Sequence, residues 1–215
     1  MKLDIYSDTI CPWCFIGKRR LEKALAGRPG GGISTTWRPF ELNPAMAAGG
    51  MARDEYLALK FGGPERARQV YAAIAKAGRE EGIAFAFGRI RRTPNSFNSH
   101  RLIRHAGLSG RQDEVVEALF RGYFLDGLDI GDRGVLGGIG ASAGLAKDEL
   151  DAYLATEAGV EETRADEAHA RVLGIDAVPC FIVNARHAIS GAQPPETFTR
   201  IFDLAGAEGT EGEKV

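Results

Sequence analysis

The chain has 215 residues, 44% of them hydrophobic, with 27 Lys and Arg against 29 Asp and Glu and a formal net charge of −2. That length carries one large domain, or one domain with a sizeable insertion, and the eleven Phe help to supply a buried core. The balanced charge gives no long-range attraction to nucleic acid or to an anionic membrane surface, and no run approaches the ~18 consecutive apolar residues that span a bilayer.

Met1-Lys2 leads directly into residues 3–6, a strand-like stretch rather than an apolar signal core, so the expected compartment is the cytoplasm. Ser7-Asp8-Thr9 reads as a polar turn. Cys11-Pro12-Trp13-Cys14 follows and leads into residues 15–26, where Phe15, Ile16, Leu21 and Leu25 recur at helical spacing. Pro12 suits the first helical position, where its missing N–H costs nothing. Residues 27–32 close this helix in a glycine-rich, flexible turn. Residues 33–42 form a second strand-like run, ended by Asn43-Pro44. The segment is a β-α-β unit with its CxxC at the strand-to-helix junction.

From residue 53 to 171 the pattern is helical, with almost no convincing strand. Val115, Val116, Leu119, Phe120, Tyr123 and Phe124 mark one apolar stripe at helical period. Pro64 and Pro94 are expected at helix starts, residues 85–91 form a short extended piece, and Gly107, Gly110, Gly127, Gly131, Gly144 and Gly159 mark connections. Arg89, Arg91 and Arg92 form the only short basic run, which reads as a solvated loop face. Strand character returns at residues 180–184 with a partner at 188–190, then a helix over 195–204 and a Gly- and Glu-rich tail from Gly206 that reads as disordered. The fold class is α/β: a β-α-β half, a large all-helical block, and a β-β-α half, without internal repeats.

Three cysteines do not make a structural disulfide framework, so a pair three positions apart calls for chemistry. Thiolate is the reactive form of cysteine, and the free N–H groups and dipole of a helix N-terminus stabilise that anion. Cys11 stands at that cap, and Cys14 lies one turn inside, where burial lowers its reactivity. Cys11 is therefore the candidate nucleophile and Cys14 the resolving thiol. Two competing readings are half of a structural zinc site, with Cys180, His169 or His187 as supplements, and an inert buried pair. The supplements lack the usual second ligand spacing, and Pro-Trp at a helix start argues against inertness; no metal is expected. Val178-Pro179, just before a strand, would leave the Val178 backbone free to pair with a substrate strand, whether the peptide is cis or an ordinary trans edge proline.

Ser7-Asp8, Cys11-Pro12-Trp13-Cys14, Gly17-Lys18, Phe40-Glu41-Leu42-Asn43-Pro44, Asn95 with His100-Arg101-Leu102, and Val178-Pro179 together resemble the DsbA-like family, in particular its FrnE-type branch. The resemblance implies a thioredoxin fold in residues 1–50 and 175–205, a helical insertion over 51–174, a disordered tail over 206–215, and a cis Pro179 facing the CxxC. It implies dithiol–disulfide exchange with a protein or small-molecule disulfide and no tightly bound cofactor, with glutathione as a conceivable co-substrate. No nucleic-acid or membrane partner is implied, and the oligomeric state is open. Related members include 2-hydroxychromene-2-carboxylate isomerases and kappa-class glutathione transferases, which use glutathione and typically carry Ser at the first position. Pro12, Trp13, Val178 and Pro179 are the expected substrate contacts. Cys180, where the family pattern has Thr or Phe, either packs in the core or relays a disulfide near Cys11. Asn95 reads as a helix N-cap, and His100 either positions substrate or is structural.

Overall fold

The computed structural model describes residues 1–28 and 32–211. β1 (Lys2–Ser7) buries Leu3 and Ile5 in the main core and Tyr6 in a smaller cluster on its opposite face. α1 (Pro12–Ala26) crosses over to β2 (Ser34–Pro39), which runs parallel to β1 with Ile5 opposite Trp37. The chain then leaves the sheet. β3 (Met51–Ala52) and β4 (Arg92–Thr93) form a minimal antiparallel ladder, with α2 (Arg53–Phe61) and α3 (Pro64–Glu80) between them. α4 (Phe97–Gly107) and α5 (Gln112–Arg121) follow, then a π-helical turn over Gly122–Asp126, α6 (Arg133–Ser142), α7 (Lys147–Ala155) and α8 (Val160–Val172). β5 (Cys180–Val183) returns antiparallel to β1, β6 (His187–Ser190) pairs with β5, and α9 (Pro195–Glu211) ends the described chain. The sheet order is β2-β1-β5-β6. The β-α-β and β-β-α halves thus share one sheet, and the fold is a thioredoxin fold with a large helical insertion.

The insertion packs on the helix that carries the CxxC. Phe15 of α1 stacks on Phe120 at 5.1 Å between ring centroids, and the whole stripe from Val115 to Phe124 is buried. Lys18, 2% exposed, keeps its charge by bridging the same two helices. Its Nζ lies 3.0 Å from Asp113 and 3.4 Å from Glu117, and it also bonds Glu22. A buried ammonium without such partners would be strongly destabilising. On the other side, Phe198 and Phe202 of α9 are fully buried, Phe198 meeting Phe181 edge-on at 4.8 Å. β2 is an edge strand, and the Gln112 amide covers it, accepting from Trp37 N at 3.0 Å and donating to Trp37 O at 3.3 Å.

Several expectations need correction. The tail does not become disordered at Gly206: α9 runs to Glu211, and the Glu208 carboxylate anchors it to His187 at 3.0 Å. Residues 212–215 lie outside the described residues, as do 29–31 of the expected glycine turn. The insertion contains the short β3–β4 ladder. Within 85–91 the chain makes a 3-10 turn, Phe87–Arg89, because Phe85 and Phe87 both fold inward against Phe124. Pro94 does not start a helix; α4 begins at Phe97, after Asn95 has tied the preceding loop down.

Candidate active site

Ser7 ends β1, and the next four residues turn the chain into α1. Cys11 N donates to Asp8 O at 3.0 Å, and Cys14 N donates to Cys11 O at 3.0 Å, so the turn and first helical residues form one hydrogen-bonded unit. Cys11 is the N-cap residue and Pro12 the first helical residue. Both thiols are free and buried, whereas Trp13 between them is 39% exposed. The thiols are not equivalent. Cys14 is enclosed, and burial, with the Cys11 thiol beside it, raises its pKa well above the ordinary range. The Cys11 thiol instead donates to the Val178 carbonyl at 3.6 Å.

That carbonyl belongs to the Val178–Pro179 peptide, which is cis. Gly17, on the inner face of α1, lets this segment approach. A Cβ at Gly17 would lie 2.9 Å from Pro179 Cγ and 3.2 Å from Phe181 Cζ. Pro179 O in turn accepts from Gly191 N at 2.7 Å, which ties the segment to the end of β6. Pro12, Trp13, Val178 and Pro179 thus frame Cys11 from two sides.

The remaining candidates lie around this frame. Cys180 packs with Tyr6, Ala170 and Ile175 in a small apolar cluster, on the opposite face of β5 from Phe181 in the main core. Its thiol is buried in this cluster, and burial, followed by Asp176, raises its pKa. Asn95 caps α4 through its Oδ1, which accepts from Phe97 N at 2.9 Å, although Ser96 is the boundary residue. Asn95 Nδ2 also donates to Met46 O at 2.8 Å. His100, on α4, is buried with Nε2 3.4 Å from Asp8 Oδ1. Among the described residues no group of three or more His, Cys, Asp or Glu is placed to hold a metal ion, and no helix is long and apolar enough to cross a membrane.

Asp8 links these parts. Fully buried, it accepts from Ile10 N at 3.3 Å and from Leu42 N at 2.7 Å, joining the CxxC turn to the loop after β2. Glu41 and Glu167 lie in the same charged cluster, and each has a buried Oε1 without a hydrogen-bond partner. Sequence reasoning assigns none of these three acids to the site. Asp8 and Glu41 stand within the motifs that carry the family resemblance, a signal that could have pointed to them. Glu167, on a highly charged helix, gives none.

The model of the DSBA-like thioredoxin domain matches residues 2–203. The structure is similar to that of a probable DsbA oxidoreductase from Streptomyces coelicolor, with 35% identity, a TM-score of 0.88, and coverage of 97% of this chain and 91% of that one. At 15% identity the fold is shared with a 2-hydroxychromene-2-carboxylate isomerase, with a TM-score of 0.70 over 100% of this chain and 97% of that one. At 20% identity it is shared with the cytosolic disulfide reductase DsbM of Pseudomonas aeruginosa, solved with GSH, with a TM-score of 0.62 over 99% and 100% of the two chains. By the extent of the family match and the Streptomyces likeness, this chain belongs to the DSBA-like thioredoxin domain family.

Proposed function

We propose that this protein exchanges disulfides with protein or small-molecule substrates through Cys11 and Cys14, within the FrnE-type branch of its family. The observation that carries this reading is the unequal setting of the two thiols: Cys11 at the helix cap against the Val178 carbonyl, Cys14 enclosed with a raised pKa. In the reducing direction the Cys11 thiolate attacks one sulfur of a substrate disulfide, forming a mixed disulfide and releasing the other sulfur as thiolate. Cys14 then loses its proton and attacks the Cys11 sulfur. The Cys11–Cys14 bond forms, the second substrate thiolate leaves, and two electrons have passed to the substrate. The reverse sequence oxidises a dithiol. The Val178–Pro179 backbone is the substrate clamp, and Trp13 supplies exposed apolar contact. Residues 1–50 and 175–205 carry this chemistry, and 51–174 wall it on one side. We place the reaction in the cytoplasm; the sparse cysteine usage and the cytosolic setting of DsbM favour this.

Replacing Cys11 with Ser should abolish reduction of a model disulfide, and replacing Cys14 should accumulate mixed disulfides visible by intact mass. Full activity without Cys11 would refute the assignment. A second reading, a glutathione-dependent isomerase or transferase, is favoured by the fold shared with the hydroxychromene carboxylate isomerase. It predicts saturable glutathione binding near Cys11 and turnover of an aromatic substrate without net redox change.

A further inference from the structure

Four ionisable side chains converge behind the turn that presents Cys11. Asp8 comes from that turn, Glu41 from the loop after β2, His100 from α4 and Glu167 from α8, so the insertion supplies half of the group. Asp8 and His100 are at most 3% exposed and Glu167 is 6% exposed. Glu41 Oε1 and Glu167 Oε1 are buried without hydrogen-bond partners, and His100 Nε2 has only its 3.4 Å approach to Asp8 Oδ1, a costly arrangement for so many polar atoms unless protonation is part of its use. Arg171 of α8 is the added cation acting on Glu167. Glu41 and Glu167 both line one cavity of about 370 Å³, together with Arg171 and Asp176.

We propose that Glu41 and Glu167 share one exchangeable proton and, through the Asp8–His100 pair, couple its uptake to reduction of the Cys11–Cys14 pair. The inference rests on the redox reading above; in it the glutamates are positioning residues that act through Asp8. Asp8 is the link because it touches both sides: its backbone carbonyl holds Cys11 N, and its carboxylate faces His100. Burial, with Glu167 beside it, pushes the Glu41 carboxyl up to about 7. Burial also raises Glu167, while His100 and Arg171 oppose that rise. Burial alone would lower the pKa of His100, but Asp8, Glu167 and Glu41 raise it. Glu41 therefore changes charge near neutrality, behind a sulfur that bears a charge only as the thiolate and none in the disulfide.

The sign follows from like charges. A Cys11 thiolate makes the cluster hold its proton more tightly, and forming the Cys11–Cys14 bond removes that charge and lets the proton go to solvent. Oxidation thus sends two electrons to the substrate disulfide, and the cluster releases part of a proton in addition to those of the thiols. The reduced form is then favoured at low pH beyond what the thiols alone require.

The test is a glutathione redox equilibrium at several values between pH 6 and pH 8, for the wild-type chain and for Glu167→Gln and Glu41→Gln. Across that window the reduced-to-oxidised constant should fall about three- to tenfold more in the wild type than in either variant, the response of one group whose proton affinity shifts by half to one unit. Redox-difference infrared spectroscopy of the wild-type chain needs no variant to fold and should show a protonated-carboxyl band that changes with the state of the thiols. Parallel pH profiles for all three chains, or no redox-linked carboxyl band, would overturn the coupling and leave the exchange reaction standing. Thiols that never form a two-electron couple would overturn the redox reading and the coupling with it.

Discussion

Gly17→Ala sets two effects of opposite sign against each other at the contact between α1 and the Val178–Pro179 segment. In a helix interior, Ala is favoured over Gly by about 0.8–1.0 kcal/mol. The added methyl would stand 2.9 Å from Pro179 Cγ and 3.2 Å from Phe181 Cζ, where carbon atoms rest at about 3.5–4.0 Å. Neither neighbour can rotate away, because the proline ring is fixed and Phe181 is fully buried against Phe198. Overpacking of this kind costs about 1–3 kcal/mol, so the clash should at least cancel the helical gain and exceed it by up to about 2 kcal/mol. For a chain of this size that lowers Tm by up to about 8 °C. Gly138→Ala, in the interior of α6 with open space at its Cβ, is the control and should be stabilising. Thermal unfolding of both variants, with the rate of disulfide reduction measured alongside, makes the comparison. If Gly17→Ala gains as much stability as Gly138→Ala, α1 does not press on Pro179 and the described contact is wrong.

Arg101 is buried and donates to the carbonyls of Tyr153, Thr156 and Ala158 and to Asn98 Oδ1, pinning the α7–α8 connection. Arg101→Met should cost about 3 kcal/mol in urea unfolding, and a loss below about 1 kcal/mol would show that the carbonyls find other donors. Glu41, ordinarily near 4.5, is held at about 7 in the folded chain. Its proton stabilises the fold fully below the unfolded value, and that contribution is lost as pH rises through about 7. Glu41→Gln should accordingly be more stable than wild type at pH 8 by roughly 1–2 kcal/mol and no more stable at pH 4; equal pH profiles would contradict this. Cys180→Ala should lose about 1 kcal/mol from its small apolar cluster and leave the Cys11–Cys14 midpoint unchanged. A moved midpoint would put Cys180 in the exchange reaction.

What could be read from the sequence was local in origin. The strand–CxxC–helix order, the apolar stripe through Phe120 and Phe124 and the β5–β6 hairpin follow from period, capping and turn chemistry over a few residues. The hairpin turn has positive φ at Asn184 and Ala185, the latter a residue that carries no turn signal. The helical course of residues 206–211 was hidden because the glycines there point to disorder, whereas Phe198, Phe202 and the Glu208–His187 bond hold the helix in tertiary context. The acid cluster was hidden for the same reason. Asp8, Glu41, His100 and Glu167 come from four separate segments, and each alone reads as a turn, loop or helix-surface residue. Gln112, placed on the edge of β2, is another long-range contact that no local pattern announces.

Whether Cys11 and Cys14 form one redox couple is decided by a glutathione redox titration, with free thiols trapped by alkylation and counted by intact mass. Two thiols should disappear together as a single two-electron step, while the thiol of Cys180 behaves separately. Thiols that never pair, or a single glutathione held on Cys11 across the whole range, would contradict that pairing.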